Sequence, residues 1–363
     1  MTENDTEQEG EEKEEAEEGS RISYVSTTNV AQIFQQKKFS LFVTTYQADR
    51  VLLFSAPTGD KLSMLMRKIP RSTGIALGKK QLAVASKSKV WFFGAANNIR
   101  GKDGEHDLAK HDLVFLPRRA HVTGYIDSHQ IFWHNGELFV VNTLYSTLCK
   151  LEEDWSLTPI WKPAFVSKII GEDRCHLNGV CCDQQGPRFA TALGKTDEKE
   201  GWREGKASGG ILIDMCSNEV IFEGLSMPHS PYLIDNQVIL LESGTGEVVS
   251  IDLKTREKRV LAKLNTFLRG LAFFQDLAFI GLCKAREKKS FGDLPLQDDP
   301  DTDPRCGISI RHLPSFQELG FIRFEGGVEE LFDIVVFPGY TDPYMIGFEG
   351  DEINEVKIFP PTG

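Results

Sequence analysis

Two stretches of the chain place histidines at matching positions. The segment MPHSPYLIDNQVILLESGTGEVVSID covers residues 227–252, and DSHQIFWHNGELFVVNTLYSTLCKLE covers residues 127–152. Aligned without a gap, they put His229 on His129 and Glu242 on Asn142. Imidazole side chains accept and donate protons near neutral pH, and a neutral ring nitrogen binds Zn, Fe or Cu. The pattern therefore indicates acid–base or metal chemistry at two equivalent positions.

The candidate site residues form three overlapping sets. The candidate ligands of a divalent metal are His129, His176 and His229. The candidate catalytic residues are His129, His229 and Arg269, and the candidate ligand-binding residues are Asn142, Asn178 and Glu242. Each histidine has an alternative role as a hydrogen-bond partner of backbone groups where two repeats meet. Asn142 and Glu242 also have an alternative role, as caps of the turns NTLYST and ESGTGE.

A repeat through the whole chain must position these residues. Each unit has an apolar strand, a short polar or Gly turn, a second strand and often a third, with little helical patterning. The second strands begin near Leu41, Leu82, Leu138, Phe189, Val238, Leu277 and Tyr344. Their spacing of about 50 residues is typical of propeller blades. We therefore predict an all-β fold, a β-propeller with seven blades, or with six if unit 268–313 is not separate or the first and last units combine.

In a propeller, the first strand of each blade lines a central channel. Equivalent first-strand positions therefore converge on one axis. The predicted axis positions are Ala31, Thr73, His129, Asn178 or Gly179, His229, Leu268 or Arg269, and Phe332. His176 lies two residues before Asn178 and is expected at the channel mouth, as is Arg269.

The charge distribution bears on possible partners. Residues 1–20 contain ten acids and one lysine, and residues 21–363 contain 43 acids and 40 Lys and Arg. We expect residues 1–20 to be a disordered acidic tail and residues 21–363 to form a single propeller domain. Because residues 21–363 show no cluster of Lys and Arg, a nucleic-acid partner is not expected.

The apolar and cysteine content bears on location. No apolar run reaches 18 residues, so we expect no association with a membrane. Seven cysteines, without the spacing of a disulfide framework, fit reduced thiols. We therefore expect a cytoplasmic protein.

Several segments carry a family resemblance. HLNGVCCDQQG and MPHSPYLIDNQVILLESGTGEVVSID resemble blades of the gluconolactonase, regucalcin and strictosidine-synthase group of propellers. That resemblance implies lactone hydrolysis and one divalent metal in the channel, held by a Glu, two Asn and an Asp. Asn178 matches one Asn of that set, whereas His229 occupies the second Asn position and Arg269-Gly270 the position of the Asp.

A closer resemblance covers nearly all of the chain after the acidic tail. The set DSHQIFWHNGELFVVNT, HLNGV, MPHSP and ESGTGE is similar to a family of uncharacterised conserved hypothetical propeller proteins. It implies the propeller fold and no particular activity.

Two functional hypotheses follow. In the first, the channel binds a small molecule, a divalent metal or both, and the protein is a candidate metal-dependent hydrolase or lyase. In the second, the protein has no catalytic activity and its rim loops bind protein partners. Fold alone does not separate the two, because propellers serve both purposes.

Overall fold

A computed structural model describes residues 22–101, 104–105, 107–284, 294–298 and 305–358. Six sheets, here called blades 1–6 in chain order, form a ring, and all their strand pairs are antiparallel except the parallel pairing of Pro343–Met345 with Leu113–Val122 in blade 2. The innermost strands of successive blades contact each other around the full circle, and that of blade 6 contacts that of blade 1. The predicted propeller fold is confirmed. The predicted acidic tail, residues 1–20, lies outside the described residues.

The strands of each blade are given from the innermost strand outwards. Blade 1 has Asp333–Pro338, Phe39–Thr45, Arg50–Ser55 and Ser63–Lys68. Blade 2 has Ile75–Leu77, Gln81–Ser86, Lys89–Ala96, Leu113–Val122 and Pro343–Met345. Blade 3 has Ser128–His134, Glu137–Asn142, Thr147–Lys150 and Thr158–Trp161. Blade 4 has Leu177–Cys182, Pro187–Ala192, Gly210–Asp214 and Glu219–Leu225. Blade 5 has Pro228–Ile234, Gln237–Glu242, Glu247–Asp252 and Lys258–Lys263. Blade 6 has Phe267–Phe274, Leu277–Cys283, Gly307–His312, Glu318–Gly326 and Ser23–Ser26.

The remaining elements lie outside the blades. A small sheet contains the strands Ile99–Gly101, Gly104–Glu105 and Lys357–Ile358. The α-helices are Val30–Lys37 and Glu352–Glu355, and the 3₁₀ helices are Asp107–Lys110, Gly201–Arg203 and Pro295–Asp298. Among the described residues, no helix has the length and apolar character needed to cross a membrane.

The structure has six blades, the alternative to the favoured count of seven, because the first and last repeat units combine in one sheet. Asp333–Pro338 from the last unit is the inner strand of blade 1, with Leu41 opposite Val336 and Val43 opposite Ile334. The start of the first unit is the helix Val30–Lys37, so Ala31 lies in the apolar core rather than on the axis. Repeat unit 268–313 is a separate unit and supplies three strands of blade 6.

The core lies between blades rather than inside a single layer. Fully buried strands such as Phe39–Thr45 are covered on both faces because each blade packs against two neighbours. Between blades 1 and 2, Phe42 and Phe115 meet edge to face with ring centroids 5.3 Å apart. Asn135 and Gly136 form the tight turn between the first two strands of blade 3, with positive φ at both residues.

Blade 1 joins the first and last repeat units, and the stability of the protein should be sensitive to the loss of one apolar side chain there. Leu41 is fully buried in blade 1, between Val336 and Phe54 in the strand register. We expect Leu41→Ala to lower the free energy of unfolding by about 2–5 kcal/mol, because it removes buried surface and leaves a cavity. Urea unfolding followed by tryptophan fluorescence measures the change. Met66→Ala, at an exposed position of the same blade, is the control. Equal unfolding midpoints for the two variants would contradict the assigned closure.

Candidate functional site

The inner strands of all six blades line a central channel with a cavity of about 410 Å³. Residues early in the inner strands are mostly polar, and those late in the strands are apolar. The polar lining comprises His129, Gln130, Asn178, His229, Ser230, Arg269 and Asp333, and the apolar lining includes Leu77, Phe132, Trp133, Phe273, Phe274 and Val336. Because the inner strands of a propeller run in one direction, the channel has a polar end and an apolar end.

His129 is held by the backbone of its own blade and by a hydroxyl that reaches the next one. Its Nδ1 lies 3.1 Å from the carbonyl oxygen of Asp127 and 2.9 Å from Oγ1 of Thr143. The Thr143 hydroxyl donates to the carbonyl of Leu177 in blade 4, at 2.6 Å, and therefore accepts from the imidazole. Both partners of Nδ1 are acceptors, so Nδ1 carries the hydrogen and Nε2 has the lone pair.

His229 repeats the arrangement in blade 5. Its Nδ1 lies 3.0 Å from the carbonyl oxygen of Met227 and 2.8 Å from Oγ of Ser243, which donates to the carbonyl of Leu268 in blade 6 at 2.6 Å. The expected hydrogen bonds to backbone at blade junctions are thus made by Nδ1 of both histidines. Nε2 of each ring is left for other partners, and Nε2 of His229 has no hydrogen-bond partner among the described residues.

A repeated backbone conformation prepares these bonds. Asp127, His176 and Met227 precede His129, Asn178 and His229 by two residues, and all three have left-handed φ angles of 49°, 51° and 47°. This conformation is uncommon outside glycine. In blades 3 and 5 it accompanies a carbonyl turned towards the imidazole, and in blade 4 it places His176 beside His129.

Burial keeps both axis histidines neutral. Burial, together with the nearby positive groups His176 and Arg269, holds the pKa of His129 and of His229 well below the usual 6.5. The two rings lie nearly parallel, with centroids 6.3 Å apart. The polar end of the channel therefore contains two neutral imidazoles in the same tautomer.

His176 connects His129 to a carboxylate. The Nε2 atoms of His176 and His129 are 3.2 Å apart, and Nδ1 of His176 is 2.8 Å from Oδ2 of Asp173. Trp202 donates to the same carboxylate oxygen at 2.9 Å and packs against the His176 ring. Because Nε2 of His129 is an acceptor, His176 is the donor between the rings.

Arg269 is present at the polar end, but its charge is already balanced. Its Nη1 lies 2.9 Å from Oε1 of Glu330, and the two side chains are 11% and 8% exposed. The guanidinium also lies over the Phe332 ring, 3.6 Å from the centroid. The predicted catalytic residues His129, His229 and Arg269 are therefore brought together, with Arg269 held in an ion pair.

Sequence reasoning missed three acids of the site: Asp173 beside His176, Asp333 and Asp127. Asp333 accepts hydrogen bonds from the backbone N–H groups of Ile75 and Ile334, and burial raises its pKa to about 7. Burial also raises the pKa of Asp127, opposed by the positive groups His176 and Arg269. Asp127 could have been found because it lies two residues before the axis residue His129, as His176 does before Asn178. Asp333 could have been found because it follows Phe332, the predicted axis position of the last repeat unit.

Asn142 and Glu242 lie away from the channel lining. Asn142 Oδ1 accepts from the backbone N–H of Tyr145 at 3.2 Å, as expected for a turn cap. Glu242 is 1% exposed and accepts from the Ser226 N–H at 2.9 Å and from Lys258 Nζ at 2.7 Å. Their place at the end of the second strand, one strand out from the axis, is the reason that they do not reach the cavity.

Asn178 does line the channel, with its amide engaged on both sides. Its Nδ2 donates to the Pro228 carbonyl at 2.8 Å, and its Oδ1 accepts from the Thr191 hydroxyl at 2.8 Å. Among the described residues, no group of three or more His, Cys, Asp or Glu side chains is placed to hold a metal ion.

The lowered pKa values predict a pH dependence of stability. As pH falls through about 6.5, unfolded histidines bind protons that native His129 and His229 do not, so their contribution to stability is complete above that pH and decreases below it. Each contributes a slope of about 1.4 kcal/mol per pH unit. Asp333 contributes with the opposite sign, because its raised pKa makes the native state bind the extra proton. We therefore expect His229→Gln to reduce the slope of unfolding free energy against pH between about pH 5 and 6.5 by about 1.4 kcal/mol per unit.

Urea unfolding at a series of pH values measures this slope. His134→Gln, at the far end of the inner strand that carries His129, is the matched control. An unchanged slope in His229→Gln would show that this histidine is protonated in the native state.

Comparisons with known proteins agree with the fold. In the solved structure described as a nidogen/laminin complex, a chain that is 10% identical aligns with a TM-score of 0.50, over 83% of this chain and 99% of the other. At that identity the likeness shows the fold alone. No curated protein matches the sequence. Residues 28–346 match the family model described as a domain of unknown function, DUF4915. The six-bladed propeller with its two neutral channel histidines therefore belongs to the DUF4915 family.

Proposed function

We propose that the protein binds a small organic molecule in the central channel and performs acid–base chemistry on it at the polar end. The observation that carries the proposal is the neutral, buried His229 in the cavity wall, whose Nδ1–H is bound by Met227 and Ser243 and whose Nε2 has no hydrogen-bond partner among the described residues. Such a nitrogen accepts a hydrogen bond or a proton from a ligand hydroxyl or amine.

The opposite proton function falls to Asp333, which lines the same cavity and whose pKa burial raises to about 7. Asp173, His176 and His129 are linked by contacts of 2.8 and 3.2 Å, but this chain holds His129 in place, because Nε2 of His129 contacts His176 and its Nδ1 contacts Asp127 and Thr143. His229 is then the base, and protonated Asp333 supplies the acid. A hydrolase or lyase reaction on a hydroxylated substrate needs these two functions together.

The shape of the channel limits the ligand. A cavity of about 410 Å³ falls in the usual range for small-molecule sites. Because Glu330 balances Arg269, the polar end favours a neutral molecule with hydroxyl or amine groups over a strongly anionic one. The rings of Phe132, Phe273 and Phe274 further along the channel suit an apolar portion of the same molecule.

A divalent cation on His129 and His176 is the second candidate. Two imidazole nitrogens bound to one tetrahedral metal at about 2.0–2.1 Å are about 3.3 Å apart. The observed separation of the two Nε2 atoms is 3.2 Å. The oxygen ligands expected for a gluconolactonase-type metal are not proposed, because Glu242 is held by Lys258 and both ends of the Asn178 amide are engaged.

We infer a reducing compartment such as the cytoplasm. Cys149, Cys175, Cys181, Cys283 and Cys306 are buried free thiols. Burial raises the pKa of Cys175 to about 12, which keeps it in the unreactive thiol form.

Ligand retention tests the main proposal. The full chain is incubated with a metabolite extract, separated by gel filtration and denatured, and the released compounds are measured by mass spectrometry. We expect a compound retained by the unaltered protein to fall about tenfold or more in His229→Ala, because its hydrogen-bond acceptor is lost. His134→Ala should retain the compound, because His134 lies at the far end of the inner strand that carries His129 and outside the cavity.

Retention that is equal in both variants would contradict binding at the polar end. If no compound is retained, while a protein partner binds His229→Ala and the unaltered chain equally, the rim-platform alternative replaces the proposal.

Metal content tests the second candidate. Plasma mass spectrometry on protein purified without a His tag should give one equivalent of a divalent metal, lost in both His129→Ala and His176→Ala. His229→Ala should keep the metal, because that ring is not paired with another imidazole nitrogen. Metal that remains in His176→Ala, or that is missing from the unaltered protein, would contradict this candidate.

A further inference from the structure

A second cavity lies outside the central channel, at the edge of blades 1 and 2. Its volume is about 1180 Å³, and Leu77 is the residue that it shares with the apolar end of the channel. The described residues that line it include four cations and no Asp or Glu: Lys79, Lys80, Arg100 and Arg118. The chain as a whole has 53 acids and 41 Lys and Arg, so this groove concentrates positive charge against the general composition.

A tight turn and a β-bulge place three of the four cations along the groove. Lys79 and Lys80 are the central residues of the tight turn closed by the hydrogen bond from the Gly78 N–H to the Gln81 carbonyl, at 2.7 Å. Arg118 is the extra residue of a β-bulge, because Pro117 pairs with Phe93 and Arg119 with Phe92. A bulge of this kind redirects a side chain out of the regular alternation of a strand.

A glycine makes room for the Arg118 side chain. A Cβ atom at Gly94 would lie 3.0 Å from Cγ of Arg118, so the arginine stem crosses the strand over this glycine. Lys79, Lys80 and Arg118 are exposed and form no ion pair with a carboxylate of the described residues. Their charges are therefore available to a ligand, unlike that of Arg269 in the channel.

The remaining lining suits a compact molecule with phosphate groups. Unpaired cations in a concave groove attract anions, and a guanidinium binds two phosphate oxygens at once. The amides of Gln81, Asn97 and Asn98 and the Tyr340 ring provide further polar and aromatic contacts. The net charge of −12 opposes the approach of a long polyanion, whereas a small oligophosphate fits inside the groove.

We propose that the groove formed by Lys79, Lys80, Arg100 and Arg118 binds a small oligophosphate, either free or as part of a nucleotide. This site is separate from the proposed channel site and needs neither His129 nor His229. Binding of oligophosphate is electrostatic and is weakened by salt.

Isothermal titration of the full chain with tripolyphosphate, ATP and adenosine tests the proposal. We expect tripolyphosphate and ATP to bind, adenosine not to bind, and the affinity to fall between about 50 and 200 mM salt. ATP that binds more tightly than tripolyphosphate would identify a nucleotide as the source of the phosphates, and equal affinities would identify free oligophosphate. Both results support the site.

Matched substitutions locate the binding. Lys80→Gln and Arg118→Gln should each weaken tripolyphosphate binding about tenfold, because each removes a charge-assisted contact. Lys87→Gln makes the same charge change in another exposed turn of blade 2, outside the groove, and should leave the affinity within about twofold. Circular dichroism checks that each variant is folded. Unchanged affinity in Lys80→Gln and Arg118→Gln, no binding by the unaltered chain, or tighter binding of a single-stranded oligonucleotide than of tripolyphosphate would overturn the proposal.

Discussion

The pairing of Asp333–Pro338 with Phe39–Thr45 is the constraint on which the rest of the structure depends. It joins segments almost 300 residues apart in the chain and places the inner strand of blade 1 beside the axis, which completes the ring of six. Thr44 strengthens the junction, since its carbonyl accepts from the Phe332 N–H at 2.8 Å and its hydroxyl accepts from the Asp333 N–H at 3.1 Å. Without this strand the ring is open, and the polar residues of blades 3, 5 and 6 no longer surround one cavity.

The same hydrogen bonds serve the architecture and the proposed chemistry. A hydroxyl immediately after the second strand, Thr143 in blade 3 and Ser243 in blade 5, links an imidazole to a carbonyl of the next blade. This link satisfies buried backbone groups between blades, and it also decides which imidazole nitrogen carries the hydrogen. A buried neutral histidine with a defined tautomer thus results from the repeat itself. The choice of His176 and Asp173 beside it is not required by the repeat.

The sequence predicted the propeller and the meeting of His129, His176, His229 and Arg269 because repeats of similar length carry equivalent residues to one axis. It favoured seven blades and gave six as the alternative if the first and last units combine, which is the arrangement observed. The choice between the two counts was open because no local pattern shows that the inner strand of blade 1 comes from the opposite end of the folded region. Glu242 was assigned to the site because it is equivalent to Asn142 in the repeat, but the partner that holds it, Lys258, lies on the outermost strand.

Three acids of the site were missed because their contacts or their burial depend on tertiary structure. Asp173 lies in a loop and Trp202 in the 3₁₀ helix Gly201–Arg203, and their approach to His176 depends on tertiary packing. The raised pKa of Asp333 comes from burial, which the sequence does not display.

The late position of the inner strand of blade 1 in the chain also sets the order in which the blades can form during synthesis. Blades 3 to 5 are contiguous in the chain and can form as soon as they leave the ribosome, whereas Phe39–Thr45 must wait for the synthesis of Asp333–Pro338. During that interval its apolar edge needs protection from other chains, so the nascent protein is expected to depend on chaperones more than the finished ring does.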